Sequence, residues 1–223
     1  MKRTLFIIII LIIILYFQYP YINLENNSYE ILQHNNPDKG IFENMLSEKK
    51  ICIFTNIPND LTFNKIQPLF FTKEYVKYIT ETKNKEFKNI VFSNFDYYQI
   101  PMSVSKRFNL NYLEKNTSLI YQSNYRFLLI NLKDTIKISL FYPNQKKNLY
   151  FNKNNKSNID FFNSDYDKYP NLNKVKYIDI LLHKDQMISI PYKWIYLLTK
   201  YEEKDSLILS YSNESIFSKI LKR

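Results

Sequence analysis

The sequence predicts a mainly β domain of the jelly-roll kind, with a few helices on its N-terminal side and one transmembrane helix before them. Three observations carry this. Leu128, Ile130 and Leu132 alternate with their neighbours, as do Ile136, Ile138 and Leu140, and then Leu207, Leu209 and Tyr211. A period of two puts each set on one face of a strand. Polar, turn-forming stretches separate these short runs, as in a β-sandwich or jelly roll. Finally, no charge occurs between Arg3 and Glu25, and the residues between them are mostly aliphatic and aromatic.

The N-terminal run comes first. Its most apolar part, Leu5 to Phe17, has the length of a signal-peptide core. Continued through Ile22 it reaches spanning length, with Tyr19 and Tyr21 as interfacial anchors at the far edge. Pro20 falls near the end, where a helix can stop. Signal peptidase wants small residues after the apolar core, and no Ala, Gly or Ser occurs between Leu5 and Asn27. Residues 1–22 therefore read as an uncleaved signal anchor. Lys2 and Arg3 place the N-terminus in the cytoplasm by the positive-inside rule, and the remainder on the luminal or external side. There, Asn26, Asn116, Asn155 and Asn213 each begin an Asn-x-Ser/Thr triplet. In so Asn-rich a chain such triplets arise by chance and carry little weight.

Residues 23–40 read as a polar linker ending in turn chemistry. Residues 41–223 form the jelly-roll domain. Within it, Ile41 to Lys50 is a short amphipathic helix and "ICIFTNI" a buried strand. Thr72 caps a helix carrying Tyr75, Tyr78 and Ile79 at helical spacing. "KNIVFSNF" reads as a short strand, and from about Leu119 the pattern is strands.

The composition weakens arguments drawn from it. The chain of 223 residues has no Ala and one Gly, and is rich in Ile, Asn, Lys, Tyr and Phe. Those five residues need only A and T in their codons, so an AT-rich genome explains the bias. It suits a large DNA virus or an AT-rich parasite, hence a virion or host endomembrane. A net charge of +10 favours anionic surfaces. Lys is spread along the chain, however, which reads as a solvated face and disfavours nucleic acid. Asn144 to Asn158 is the most basic stretch and reads as a polar loop. The lone Cys52 excludes an intrachain disulfide and a Cys-based zinc site, and its apolar strand makes it a buried structural thiol. One Gly leaves no phosphate loop, dinucleotide fingerprint or Gly-x-Ser-x-Gly elbow.

Four stretches carry a family resemblance. They are "EKKICIFTNIPND" with "FFTKEYVKYI", "FLLINLKDTIKISLFYP", "NIDFFNSDYDKYPNLNKVKYIDILLHKDQMISIPYKWIYLL" and "DSLILSYS". In that order, over roughly residues 42 to 213, the chain resembles the cupin-like, Jumonji-C-type fold of 2-oxoglutarate oxygenases, closest to the asparaginyl-hydroxylase-like branch. The resemblance implies a double-stranded β-helix, with Ile190, Pro191 and Trp194 as the scaffold of its Ile-Pro-x-x-Trp motif. It also implies Fe(II) held by His-x-Asp on one strand and a distal His on another. Carried over without gaps, the ligand positions fall on Tyr121, Ser123 and Tyr196. The lysine for 2-oxoglutarate falls near Ile136, with Lys137 one residue on. The chain holds only two His, His34 in the linker and His183 ahead of the motif. The expectation is a membrane-anchored module with no metal, no cofactor and no catalytic residue, binding a protein or glycan partner. Its rivals are a hydroxylase with rebuilt ligands and a basic binder of nucleic acid or another anionic surface. Were Trp194 and Tyr196 merely core aromatics, the likeness would reflect jelly-roll packing alone.

Overall fold

Strand pairing defines the architecture. The computed structural model describes residues 2–23, 29–56, 72–74, 76–77, 103–124, 126–152, 155, 157 and 159–215. Its strands are β1 (Ile31–Asn35), β2 (Ile51–Thr55), β3 (Ser103–Leu113), β4 (Ile120–Tyr121), β5 (Arg126–Lys133), β6 (Ile136–Phe141), β7 (Tyr177–Leu182), β8 (Met187–Ser189), β9 (Ile195–Lys200) and β10 (Ser206–Ser215). From β3 onward the first strand pairs with the last. β3 meets β10, β4 meets β9, β5 meets β8 and β6 meets β7, all antiparallel. This is one long ribbon, rolled so that successive pairs fall alternately in two sheets. One sheet runs β1-β2-β8-β5-β10-β3 and the other β4-β9-β6-β7. A ribbon wound this way is a jelly roll, so the mainly β prediction holds.

Alternation sorts the side chains into three apolar layers. Phe127 and Leu129 of β5 face the second sheet, where Ile136, Ile138 and Leu140 of β6 and Tyr196 and Leu198 of β9 meet them. Leu128, Ile130 and Leu132 point the other way. With Leu207, Leu209 and Tyr211 they pack against Phe42, Phe54 and Val76 on the outside of the large sheet. On the outside of the small sheet, Ile195, Leu197 and Phe141 are covered by Leu149, Ile159, Phe161 and Leu172. Both sheets are therefore buried on two faces over much of their width. The stretch 144–158 is accordingly more than a polar loop, since Leu149 is fully buried.

α2 (Lys39–Ser47) covers the large sheet and joins β1 to β2, which run parallel. A parallel pair needs such a crossover. Asp38 caps the helix, its Oδ1 accepting from Ile41 N at 2.8 Å. Two sequence expectations change here. Residues 31–35, read as part of the linker, form β1, because Ile31 and Leu32 find apolar neighbours in both adjacent layers. β3 begins well before Leu119, with Phe108, Leu110 and Tyr112 alternating on its outer face. "KNIVFSNF", and most of the helix expected after Thr72, lie outside the described residues.

The N-terminal helix, α1, spans Lys2–Asn23. Its described side chains, Arg3 to Ile13, are all exposed. That stretch measures ~16 Å at 1.5 Å per residue. Among the described residues no helix is long and apolar enough to cross a membrane.

Tight turns are made almost without glycine. Among the described residues ten non-glycine residues have positive φ, while Gly40 does not. At Tyr201–Lys204, Lys204 N donates to Tyr201 O at 3.2 Å. The two central residues, Glu202 and Glu203, have φ of 51° and 56°. That conformation suits Asn-Gly and strains a glutamate.

Candidate functional site

One end of the roll is where β3, β5 and β9 start and where β4, β8 and β10 finish. The Ile-Pro-x-x-Trp motif lies there as the crossing between the two sheets. Ile190 N donates to Phe127 O at 3.0 Å, which holds the end of β8 to β5. The chain then turns, with Trp194 N donating to Pro191 O at 3.3 Å. Lys193 takes φ 70° at the third position of this turn, where a type II turn demands a positive value. The missing N–H of Pro191 sits in this connection, outside either ladder, where a lost donor is tolerated. Trp194 drops into the layer between the sheets and is almost fully buried.

Gln122 locks this turn to the end of β4. Its backbone N–H donates to Trp194 O, and its carbonyl accepts from Lys193 N, each at 2.8 Å. Its side-chain amide donates to Ile190 O at 3.4 Å, while Oε1 accepts from Asn124 N at 2.9 Å. Gln122 is 2% exposed, so these bonds satisfy a polar group that would otherwise be costly to bury.

The three positions assigned to metal ligands do not converge. β4 and β9 are neighbours, with Tyr121 opposite Ile195 and Ile120 opposite Tyr196. Residues opposite one another share a face. Tyr196 therefore points between the sheets and Tyr121 points out. The Tyr121 ring lies on the outer layer, under Lys146 Nζ at 4.1 Å and 6.3 Å from Phe151. Ser123 is half-buried in the turn after β4. The gapless carry-over is thus one residue out of step with the inward face, on which Ile120 and Gln122 lie. The implied 2-oxoglutarate position divides in the same way. Ile136 points inward and is fully buried. Lys137 points outward, its Nζ 3.1 Å from Asp179 Oδ2.

Aromatic rings fill the interior at this end. Phe127 and Tyr196 are 5.5 Å apart between centroids, Tyr142 and Trp194 4.8 Å, and Tyr29 and Tyr142 3.7 Å. Burial pushes the Tyr196 phenol far above the usual tyrosine range, and raises Tyr142 as well. Tyr196 is thus packed among rings as a neutral phenol. Neither His lies at this end. His34 is on β1 beside Asn35, its Nδ1 2.9 Å from Asn35 O. His183 follows β7, its Nδ1 3.1 Å from Thr135 Oγ1. Both belong to the opposite end of the roll. Among the described residues no three His, Cys, Asp or Glu gather as a metal site would require. Cys52 is buried on the outer face of the large sheet, its Sγ donating weakly to Lys50 O at 3.4 Å. Burial raises its thiol to about 12, which removes it as a nucleophile at neutral pH.

The polar part of this end lies on the inner faces of β3 and β10. Arg107 Nη2 stands 3.6 Å from Glu214 Oε2, with the Glu214 side chain 6% exposed and that of Arg107 67% exposed. Ser212, opposite both Arg107 and Phe127, continues this strip. The sequence reading missed Arg107, Gln122 and Glu214. The alternation of Phe108, Leu110 and Tyr112 was the signal that would have turned Arg107 inward.

Comparison with known proteins adds little. No family model matches the chain, and no curated protein matches it. Among solved structures, hydroquinone 1,2-dioxygenase from Sphingomonas sp. TTNP3 is similar over 50% of this chain and 61% of its own, at 11% identity and TM-score 0.35. Drosophila melanogaster CENP-C bound to CAL1 is similar over 46% and 58%, at 9% identity and TM-score 0.30. Bacillus subtilis oxalate decarboxylase is similar over 50% of this chain and 22% of its own, at 6% identity and TM-score 0.32. The chain thus spans about three fifths of the first of these proteins. Scores this low carry no argument about function.

Proposed function

We propose that the chain is a membrane-tethered jelly-roll module that binds rather than catalyses, built on the scaffold of an oxygenase-like fold. One observation carries the reading. Between Leu5 and Ile13, α1 is aliphatic or aromatic at every position, and every one of these side chains is exposed. A helix that is apolar all round is stable only when something apolar surrounds it. The jelly roll does not cover this stretch, and a bilayer would. The second half of the reading rests on the ring-filled end described above. There the inward residues Ile120, Gln122, Phe127 and Tyr196 leave no imidazole or carboxylate pair for Fe(II). By the positive-inside rule the roll lies on the luminal or external side.

Alkaline carbonate extraction of membranes carrying the full chain tests the tether. Retention in the pellet is expected, and full release would overturn it. Glycan attachment at Asn116 or Asn155, both exposed, reads out the side of the membrane. Incubation of the full chain with Fe(II) and 2-oxoglutarate tests the silent site. Stoichiometric iron retention with turnover would instead establish a hydroxylase with rebuilt ligands.

A further inference from the structure

The two ends of the roll differ in charge. At the Trp194 end, the segments are 29–30, 47–50, 103–107, 122–124 with Arg126, 142–148, 176–177, 190–194 and 213–215. Among the described residues they hold nine Lys and Arg against three Glu. At the opposite end, segments 35–38, 55–56, 72–74, 113–116, 133–135, 182–187 and 200–206 hold six Lys against eight Asp and Glu among the described residues. The first end is strongly basic and the second slightly acidic. Two of the three acids at the basic end are already engaged with Lys50, which lies 2.9 Å from Glu30 and 3.1 Å from Glu48. The third, Glu214, is buried beside Arg107. Among the described residues, what this end presents outward is therefore mostly cationic. Lys49 registers the crowding, since burial and the nearby Lys193 together lower its ammonium to about 8.

The basic end is also where the tether joins. α1 ends at Asn23, and Tyr29 already packs on Tyr142 inside the roll. Six Cα–Cα steps separate the two residues, at most about 20 Å of chain. If α1 sits in a bilayer, this end of the roll cannot leave the headgroup region, whereas the acidic end is a domain length away.

We propose that the basic end of the jelly roll docks on anionic phospholipid headgroups of the bilayer that holds α1, fixing the roll upright on the membrane with its acidic end outermost. This rests on the membrane-tether reading. It follows from charge complementarity with anionic headgroups in the leaflet that the roll faces, where each lysine near the surface adds to the attraction, and from a tether too short to present any other end.

The test uses the full chain in vesicles of phosphatidylcholine alone and of phosphatidylcholine mixed with phosphatidylserine. An alkaline wash reads the tether, and site-resolved labelling by an amine reagent reads the docking. Lys147, Lys176 and Lys193 are expected to label more slowly in the anionic vesicles, and to recover in high salt. Lys133, Lys184 and Lys204, at the other end, should label alike in both. Replacing Lys147→Gln or Lys176→Gln, both exposed, should each weaken docking about fivefold; Lys184→Gln should leave it unchanged. A washed-out chain whose basic end is still protected would overturn the tether and keep the docking. A retained chain whose two ends label alike in both vesicles would overturn the docking alone. Stronger protection by an oligonucleotide than by vesicles at equal phosphate would also overturn it, in favour of nucleic acid.

Discussion

α1 and β6 use the same kind of residue to opposite ends. In β6, Ile136, Ile138 and Leu140 are fully buried; in α1, Ile7 to Ile13 are 40% to 58% exposed. The chemistry per residue is alike, so spacing makes the difference. Alternation gives β6 one face that another sheet can cover. A continuous run gives α1 no polar face at all, so no single protein surface can satisfy it. Aliphatic residues at period two specify a partner within the chain, and unbroken runs specify a solvent.

That contrast can be broken from either side. The largest effect is expected at Phe141, fully buried and packed edge-to-face with Phe161, centroids 4.9 Å apart. Phe141→Ala should cost about 3–5 kcal/mol. Urea denaturation should show it, while retention in membranes stays unchanged. Ile9→Arg is the converse, since it places a charge mid-run at about 2.5–3.5 kcal/mol of insertion free energy. Carbonate extraction should then release much of the chain, with the urea midpoint of the roll unmoved. Equal sensitivity of both measurements to either variant would dissolve the distinction.

Smaller effects sharpen it within the roll. Glu203→Gly should stabilise by about 1 kcal/mol, because it relieves a left-handed residue in an exposed turn. A rise in melting temperature is the check. Lys49 predicts a pH dependence. Its folded pKa of about 8 lies below the usual 10.5. Between those values the unfolded chain binds more protons, so stability rises with pH through that window, and the penalty is complete below it. Lys49→Met should remove this rise. Tyr196, raised by burial, works against it above about pH 10, where only the unfolded chain ionises.

Much of the fold was legible because its strands obey the simple rule of two. Leu128, Ile130 and Leu132 sit on one face as their spacing requires. The spacing alone could not say that the residues between them, Phe127 and Leu129, are buried too. Ile31 to Asn35 escaped notice because a polar edge strand looks like a linker until its parallel neighbour is known. The candidate site was the least legible part. Gln122 matters through four hydrogen bonds that no periodicity encodes. On β4 the carried-over position Tyr121 points outward while its neighbours Ile120 and Gln122 lie on the inward face, and in a strand one residue is the difference between inside and outside. The charge division between the ends was invisible for another reason. Lysines evenly spread in sequence were gathered by the roll's own winding.

The nested pairing has a consequence for how the chain is made. β10 lies between β5 and the edge strand β3, so β3 has no place in the large sheet until β10 exists. Synthesis from the N-terminus therefore leaves β3 waiting for a partner about a hundred residues downstream, an arrangement that folds slowly. Such a chain stays threadable while it is being translated. Under the tether proposed above, a domain that cannot close early leaves the remainder of the chain free to cross the bilayer behind α1.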